Sequence, residues 1–189
     1  MGRATTMKAL FVGLCLIATL AARATASAAT VHPPAPPPCA NHLTVTRSDR
    51  TSAVYLGADP SDPAICLISI NGTLTRSVWG SWTLRPFASW SVADVKDVVA
   101  RIRSGPIGTK ARISWPAGHK TNITTMERLP DETVNIGSQS YNCMVFRTTD
   151  NFSNEFMTWF DPKNRIPLRA KGTYPSTYDW QATAIVPSN

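Results

Sequence analysis

The sequence holds little of what usually announces chemistry. Its three histidines, His32, His42 and His119, lie far apart, and no H-x-x-x-H or C-x-x-C pair occurs. A dedicated zinc site gathers its ligands at short spacings, so none is expected here, nor any other metal or cofactor. No G-x-S-x-G elbow is present, because GSWT (80–83) and GSQS (137–140) do not fit that pattern. GPIGTK (105–110) lacks the spacing of a phosphate loop. Asp59 and Asp62 in ADPSDP could offer oxygens to calcium, but no loop of calcium-binding length follows, and Asp-Pro pairs form turns. Glu127, Asp131 and Glu132 gather about a turn and read as a solvated face. No catalytic residue is assigned.

Acidic side chains are scarce, 12 against 19 basic ones, and charged residues make up only 16% of the chain. The basic residues are scattered, with Arg101, Arg103, Lys110 and Arg112 in one region and Arg165, Arg169 and Lys171 in another. Solvated faces of strands and a helix account for them, and no nucleic-acid partner is expected. Long apolar runs are missing outside the first thirty residues, and no internal repeat or second linker divides the chain. One ordinary domain and no membrane span follow.

The first thirty residues differ from the rest. Arg3 and Lys8 precede the apolar run ALFVGLCLIATLAA (9–22), and Ala24-Thr25-Ala26 and Ala26-Ser27-Ala28 follow as small-residue cleavage sites. That order is a secretory signal peptide of bacterial type over 1–28, cleaved near 26–29, and its apolar run is too short to span a bilayer. Cys15 lies inside the apolar run behind Leu14, which argues against lipid attachment there. Loss of Arg3, Lys8 and Arg23 with the leader lowers the formal charge from +7 to +4. ATVHPPAPPP (29–38) then reads as an extended proline-rich linker, and 39–189 as a single β-rich domain. A periplasmic or secreted location favours disulfides, and three cysteines remain: Cys39, Cys66 and Cys143. Cys39–Cys66 is the expected pair, worth roughly 3 kcal/mol for such a loop, with the other two pairings open. Cys143, mid-strand, is the expected buried thiol; as a nucleophile it would need a histidine, and only His119 is a candidate.

Strand signals dominate the domain. Leu43 and Val45 alternate with polar residues, SAVYL (52–56) follows, and ICLISI (65–70), Asn71-Gly72 and TLTRSVW (73–79) form a hairpin. Over 90–105, Val92, Val95, Val98, Val99 and Ile102 recur at helical spacing, with Ser91 placed to cap, Asp94 early, Arg101 and Arg103 late, and Gly105 at the end. One helix is expected at about 92–103. Beyond it the period returns to two in TKARISW (109–115), TNITTMER (121–128), ETVNI (132–136), SYNCMVFRT (140–148), NEFMTWFD (154–161), IPLRAKG (166–172) and YDWQATAIV (178–186). Short turns and no crossover helices make this an antiparallel meander of α+β class.

The stretch CMVFRTTDNFSNEFMTWFDP (143–162) breaks the usual alternation of apolar and polar residues. Tyr141, Cys143 and Val145 face one way while Met144 and Phe146 face the other, and Phe156 and Phe160 oppose Met157 and Trp159. Both faces must be covered, and a helix of about twelve residues, roughly 18 Å long, covers only one. A curl of the sheet, the earlier strands, or a bound molecule must cover the rest.

From 105 to 172 the chain runs GPIGTKARISW, a Thr-rich strand, ETVNIGSQSYNCMVFRT and EFMTWFDPKNRIPLR. In that order it resembles exported bacterial proteins of unknown function with a lipoprotein-carrier-like half-barrel; Gly108, Glu132, Val134, Cys143, Trp159, Phe160, Asp161, Pro167 and Leu168 fill the family's rhythm. The resemblance implies a strongly curved antiparallel sheet wrapping a helix and, in the carrier branch, a pocket for acyl chains. That branch uses more helical cover than this chain offers. The expectation is an exported, non-enzymatic envelope protein whose curved sheet holds a hydrophobic ligand, with Phe146, Phe156, Trp159, Trp115 and Trp180 as the ligand-facing candidates. The alternative is a protein-interaction module, an accessory or inhibitor subunit using a sheet edge or aromatic patch; an unrecognised hydrolase is third. The partner is accordingly an apolar small molecule or an envelope protein.

Overall fold

The computed structural model describes residues 39–84, 91–117, 119–173 and 179–188. The expected signal peptide, the expected proline-rich linker with His32, Trp90 and the start of the last expected strand lie outside the described residues. The rest is one open, antiparallel, eleven-stranded sheet with a single helix. In chain order the elements are β1 (Asn41–Arg47), β2 (Ser52–Asp59), β3 (Asp62–Ile70), β4 (Thr73–Val78), β5 (Trp82–Leu84), α1 (Val92–Ser104), β6 (Lys110–Ala117), β7 (Lys120–Ile136), β8 (Gln139–Asp150), β9 (Glu155–Asp161), β10 (Ile166–Gly172) and β11 (Trp180–Pro187). Across the sheet they run β5-β4-β3-β2-β1-β11-β10-β9-β8-β7-β6. Two meanders therefore spread outward from a central pair formed by the first and last strands, Val45 opposite Ile185. The strongly curved α+β half-barrel with one helix is the observed class.

Local chemistry explains the best-read elements. Asn71 and Gly72 hold φ of 48° and 83°, the positive pair that a two-residue hairpin turn demands, and Ile70 pairs with Thr73 across it. Asn71 also accepts a 2.9 Å bond from the Ser52 N–H through its side-chain oxygen, tying the turn to β2. In α1, Val95, Val98, Val99 and Ile102 form the buried stripe. Ser91 occupies the N-cap position but its side chain makes no capping bond. Gly105 is needed for room rather than for a left-handed turn: its φ is −80°, and a Cβ there would lie 2.8 Å from both the Arg101 carbonyl oxygen and Thr109 Cβ.

One expectation is corrected. The segments 121–128 and 132–136 are not two strands about a turn but one strand, β7, of 17 residues. Leu129-Pro130-Asp131, which reads as a turn, is a bulge where the register against β8 shifts between Leu129 and Glu132. The buried Arg128 stabilises it, donating to the Leu129 carbonyl at 2.6 Å and pairing with Asp131. β5, three residues long, had no clear sequence signal.

Two apolar cores flank the β8–β9 hairpin. Val45, Ala53, Tyr55 and Ile68 of β1–β3 meet Val134, Cys143, Val145, Trp159, Ile166, Leu168 and Ala182 in the first. The second surrounds the inner stripe of α1 with Ile65, Val78 and Trp82 from one end of the sheet and Ala111, Ile113, Met126, Phe146 and Phe160 from the other. The sheet thus curls far enough for its two ends to share a helix, and the earlier strands supply the covering that α1 cannot.

The Cys39–Cys66 disulfide joins the start of the domain to β3, Cα atoms 5.3 Å apart. Cys143 is the free, buried thiol.

Candidate functional site

Neighbours along β8 and β9 point to opposite cores, and this decides where the aromatic candidates lie. Phe146 is fully buried in the helix-side core, 6.3 Å from Phe160 between ring centroids, with the Arg128 guanidinium 5.8 Å from its own ring centre. Trp159 is buried in the strand-side core; its indole N–H donates to Glu132 at 2.7 Å, and the Arg169 guanidinium lies 4.4 Å over the ring. Trp115 packs half-buried against the helix-side core. Phe156, half-buried on β9, stands opposite Gly172. Trp180, at the start of β11, lies 3.9 Å beneath the Arg47 guanidinium. Phe146 and Trp159 are thus separated by the thickness of the sheet, and the five residues do not line one cavity.

The acidic trio read as a solvated face has partners. Glu127 accepts from Arg147 at 2.5 Å and lies 3.5 Å from Lys110; its hydrogen bond with Arg147 holds the carboxyl below the usual range. Asp131 pairs with Arg128, and Glu132 receives the Trp159 indole. Burial pushes the Cys143 thiol up to about 12, with Asp161 and Asp131 adding to the effect, so little thiolate forms at neutral pH. Asp161 is itself committed to its turn, accepting from the Lys163 N–H at 2.9 Å and the Asn164 amide at 2.6 Å. No group of three or more His, Cys, Asp or Glu side chains is placed to hold a metal ion among the described residues. No described helix is long and apolar enough to cross a membrane.

Among the described residues, open clefts border the sheet, two of which bear on the site. The larger, about 710 Å³, lies between Tyr141 and Asn142 of β8, the β9–β10 turn and Ile185 of β11. Several of its polar side chains serve local structure: Tyr141 bonds Gln139, and Asn164 donates to Asp161. The smaller, about 360 Å³, is a groove between α1 and the edge strand β6, lined by Asp94, Asp97 and Arg101 on the helix and by Arg112, Ile113 and Ser114 on the strand. Residues 94, 97 and 101 recur at helical spacing, so one stripe of α1 faces the groove.

The β6 backbone follows a definite phase. The Arg128 N–H donates to the Thr109 carbonyl at 2.9 Å, and the register continues with Ala111 opposite Met126 and Ile113 opposite Thr124. In an antiparallel ladder alternate residues bond to the same neighbour, so 109, 111 and 113 bond to β7 while Lys110, Arg112 and Ser114 turn their N–H and C=O outward. Sequence reasoning noted Arg101 and Arg112 only as scattered charge and passed over Asp94, Asp97 and Ser114 as groove residues. One usable signal was present: Pro116 takes the next outward position, and proline in a strand marks an edge.

Compared with models of protein families, with curated proteins and with solved structures, the chain matches none.

Proposed function

We propose that this is an exported, non-enzymatic envelope protein that acts by binding another polypeptide along the outer edge of β6 over Lys110–Ser114. The observation that carries the reading is that edge: three outward-facing backbone positions beside a groove, on a sheet whose apolar faces are filled by its own side chains. Exposed strand edges are templates for pairing, and β-strand addition is a recurrent mode of peptide recognition. Export rests on the leader's residue pattern and accords with the Cys39–Cys66 bridge. The hydrophobic-ligand reading draws less support, because its five candidate residues are divided between the two sides of the sheet and the rim. The hydrolase reading draws less support from Cys143, whose burial disfavours the thiolate.

Site-specific photocrosslinking tests the reading in the full chain expressed with its leader. A crosslinking residue at Ser114 is expected to give an adduct to a second polypeptide, while one at Leu74, 60% exposed on β4, gives none. Equal labelling at both positions, or none at either, overturns it. The mature protein's N-terminus, read by mass, is expected near 26–29.

A further inference from the structure

We infer that the occupant of the α1–β6 groove is an extended segment of a different protein, which adds as a strand beside β6 and sets an acidic side chain against Arg101 and a basic one against Asp94 and Asp97. This deepens the edge-binding reading above and rests on it.

The backbone supplies the first half of the recognition. Arg112 and Ser114 each offer an outward N–H and C=O beside the groove, and Lys110 extends the row. Pro116 has no N–H to give, so the template ends at Ser114. Main-chain bonds of this kind give affinity without sequence preference; preference comes from what flanks them.

Charge supplies the second half. α1 and β6 run in opposite directions through the short 105–109 connection, so Arg101 lies toward Arg112 and the helix start toward Ser114. The groove therefore has a basic end and an acidic end. None of Asp94, Asp97, Arg101 and Arg112 has an ion-pair partner among the described residues. Asp94 and Arg101 are seven residues apart on α1, about 10 Å along its axis. That is about three residues of extended chain, so a peptide with acid and base at i and i+2 or i+4 on one face would straddle it.

A second copy of this chain fits poorly. Pairing β6 with itself would bring Lys110 and Arg112 of one copy across from those of the other, and like charges facing across a ladder are destabilising. Charges on an edge strand also guard against aggregation, which is the rival explanation for Lys110 and Arg112.

Synthetic Val/Thr peptides of about nine residues, carrying one Glu and one Lys in either order, separate these accounts when titrated into the mature protein by calorimetry and amide NMR. One order is expected to bind, shifting the Arg112 and Ser114 amides. Reversing both ends of the helix stripe (R101E with D94K and D97K) should weaken that peptide by about tenfold and favour the opposite order. Ser114→Pro removes one outward N–H, leaves the β7 ladder intact and should abolish binding; the surface reversals keep the test informative if S114P does not fold. Peptides that bind without order preference overturn the charge assignment while leaving edge binding standing. A dimer in ultracentrifugation that S114P dissolves makes the occupant a second copy and overturns the inference. So does failure of all peptides with R112S merely aggregating, the signature of edge protection. The crosslinking experiment judges the edge itself, so the two can fail separately.

Discussion

The two sides of the β8–β9 hairpin are buried by different means. On one side, strands β1–β3 fold across it, and the interface includes polar atoms: the Trp159 indole bonded to Glu132, the Cys143 thiol, and the Tyr55 hydroxyl. On the other, α1 and the two ends of the sheet press on Phe146 and Phe160, and cations stand at the rim, with the Arg103 guanidinium 4.5 Å over the Phe160 ring and donating to the Trp79 carbonyl at 3.2 Å. Burial lowers Arg103 to about 10, still charged at neutral pH. Helix-side stability should therefore depend on shape, and strand-side stability on how each polar atom is matched.

The largest test of that contrast is Phe160→Ala. The ring is fully buried, and its loss removes contacts with both Phe146 and Arg103. Truncation of a buried Phe costs about 3–5 kcal/mol, and the midpoint of urea unfolding should fall accordingly. A loss under about 1 kcal/mol would mean that the site collapses freely and that the helix side is not closely packed.

Trp159→Phe asks the matching question of the strand side at smaller scale. It keeps an aromatic ring but withdraws the donor to Glu132. Because Glu132 is solvent-exposed, water can replace the lost bond, and a cost of about 1–2 kcal/mol is expected. Adding Glu132→Ala, which removes the acceptor, should cost little more in this variant, since the pair is already broken; an additive loss in that double-mutant cycle would show that the indole bond contributes nothing.

That this hairpin is buried twice was legible, because Val145 beside Phe146 and Trp159 beside Phe160 leave no wet face. What covers it was not. The covering strands reach it through the β1–β11 pairing, which joins residues such as Thr44 and Val186 from opposite ends of the domain, and no local pattern encodes that. The Asn71-Gly72 turn was legible because its chemistry is local; Pro130-Asp131 misled for the same reason, since local turn residues there serve a bulge supported by Arg128. The groove was the least legible feature. Arg112 and Ser114 face outward only through their register with β7, and Asp97 meets them only through the placement of α1.

The smallest expected effect has the opposite sign. Tyr55 is 1% exposed; the Arg47 guanidinium interacts with its hydroxyl, but no hydrogen bond of good geometry forms, and the buried Arg47 Nε is also unmatched. An unmatched buried polar atom is a cost to the fold, so Tyr55→Phe should leave stability unchanged or raise it by up to about 1 kcal/mol. The pH profile distinguishes this from simple tolerance. Burial raises the Tyr55 phenol from 10.0 to about 12, partly opposed by Arg47. Its folded-state value lies above its unfolded one, so the unfolded chain ionises first, and stability is lost as pH rises from about 10 to about 12. The Phe variant should lose only the share of that alkaline decline that belongs to Tyr55 and keep the share from Cys143, which starts from 9.0. If the variant is instead destabilised by about 2 kcal/mol at pH 7, the hydroxyl is matched in solution, and the strand side is as closely fitted as the helix side.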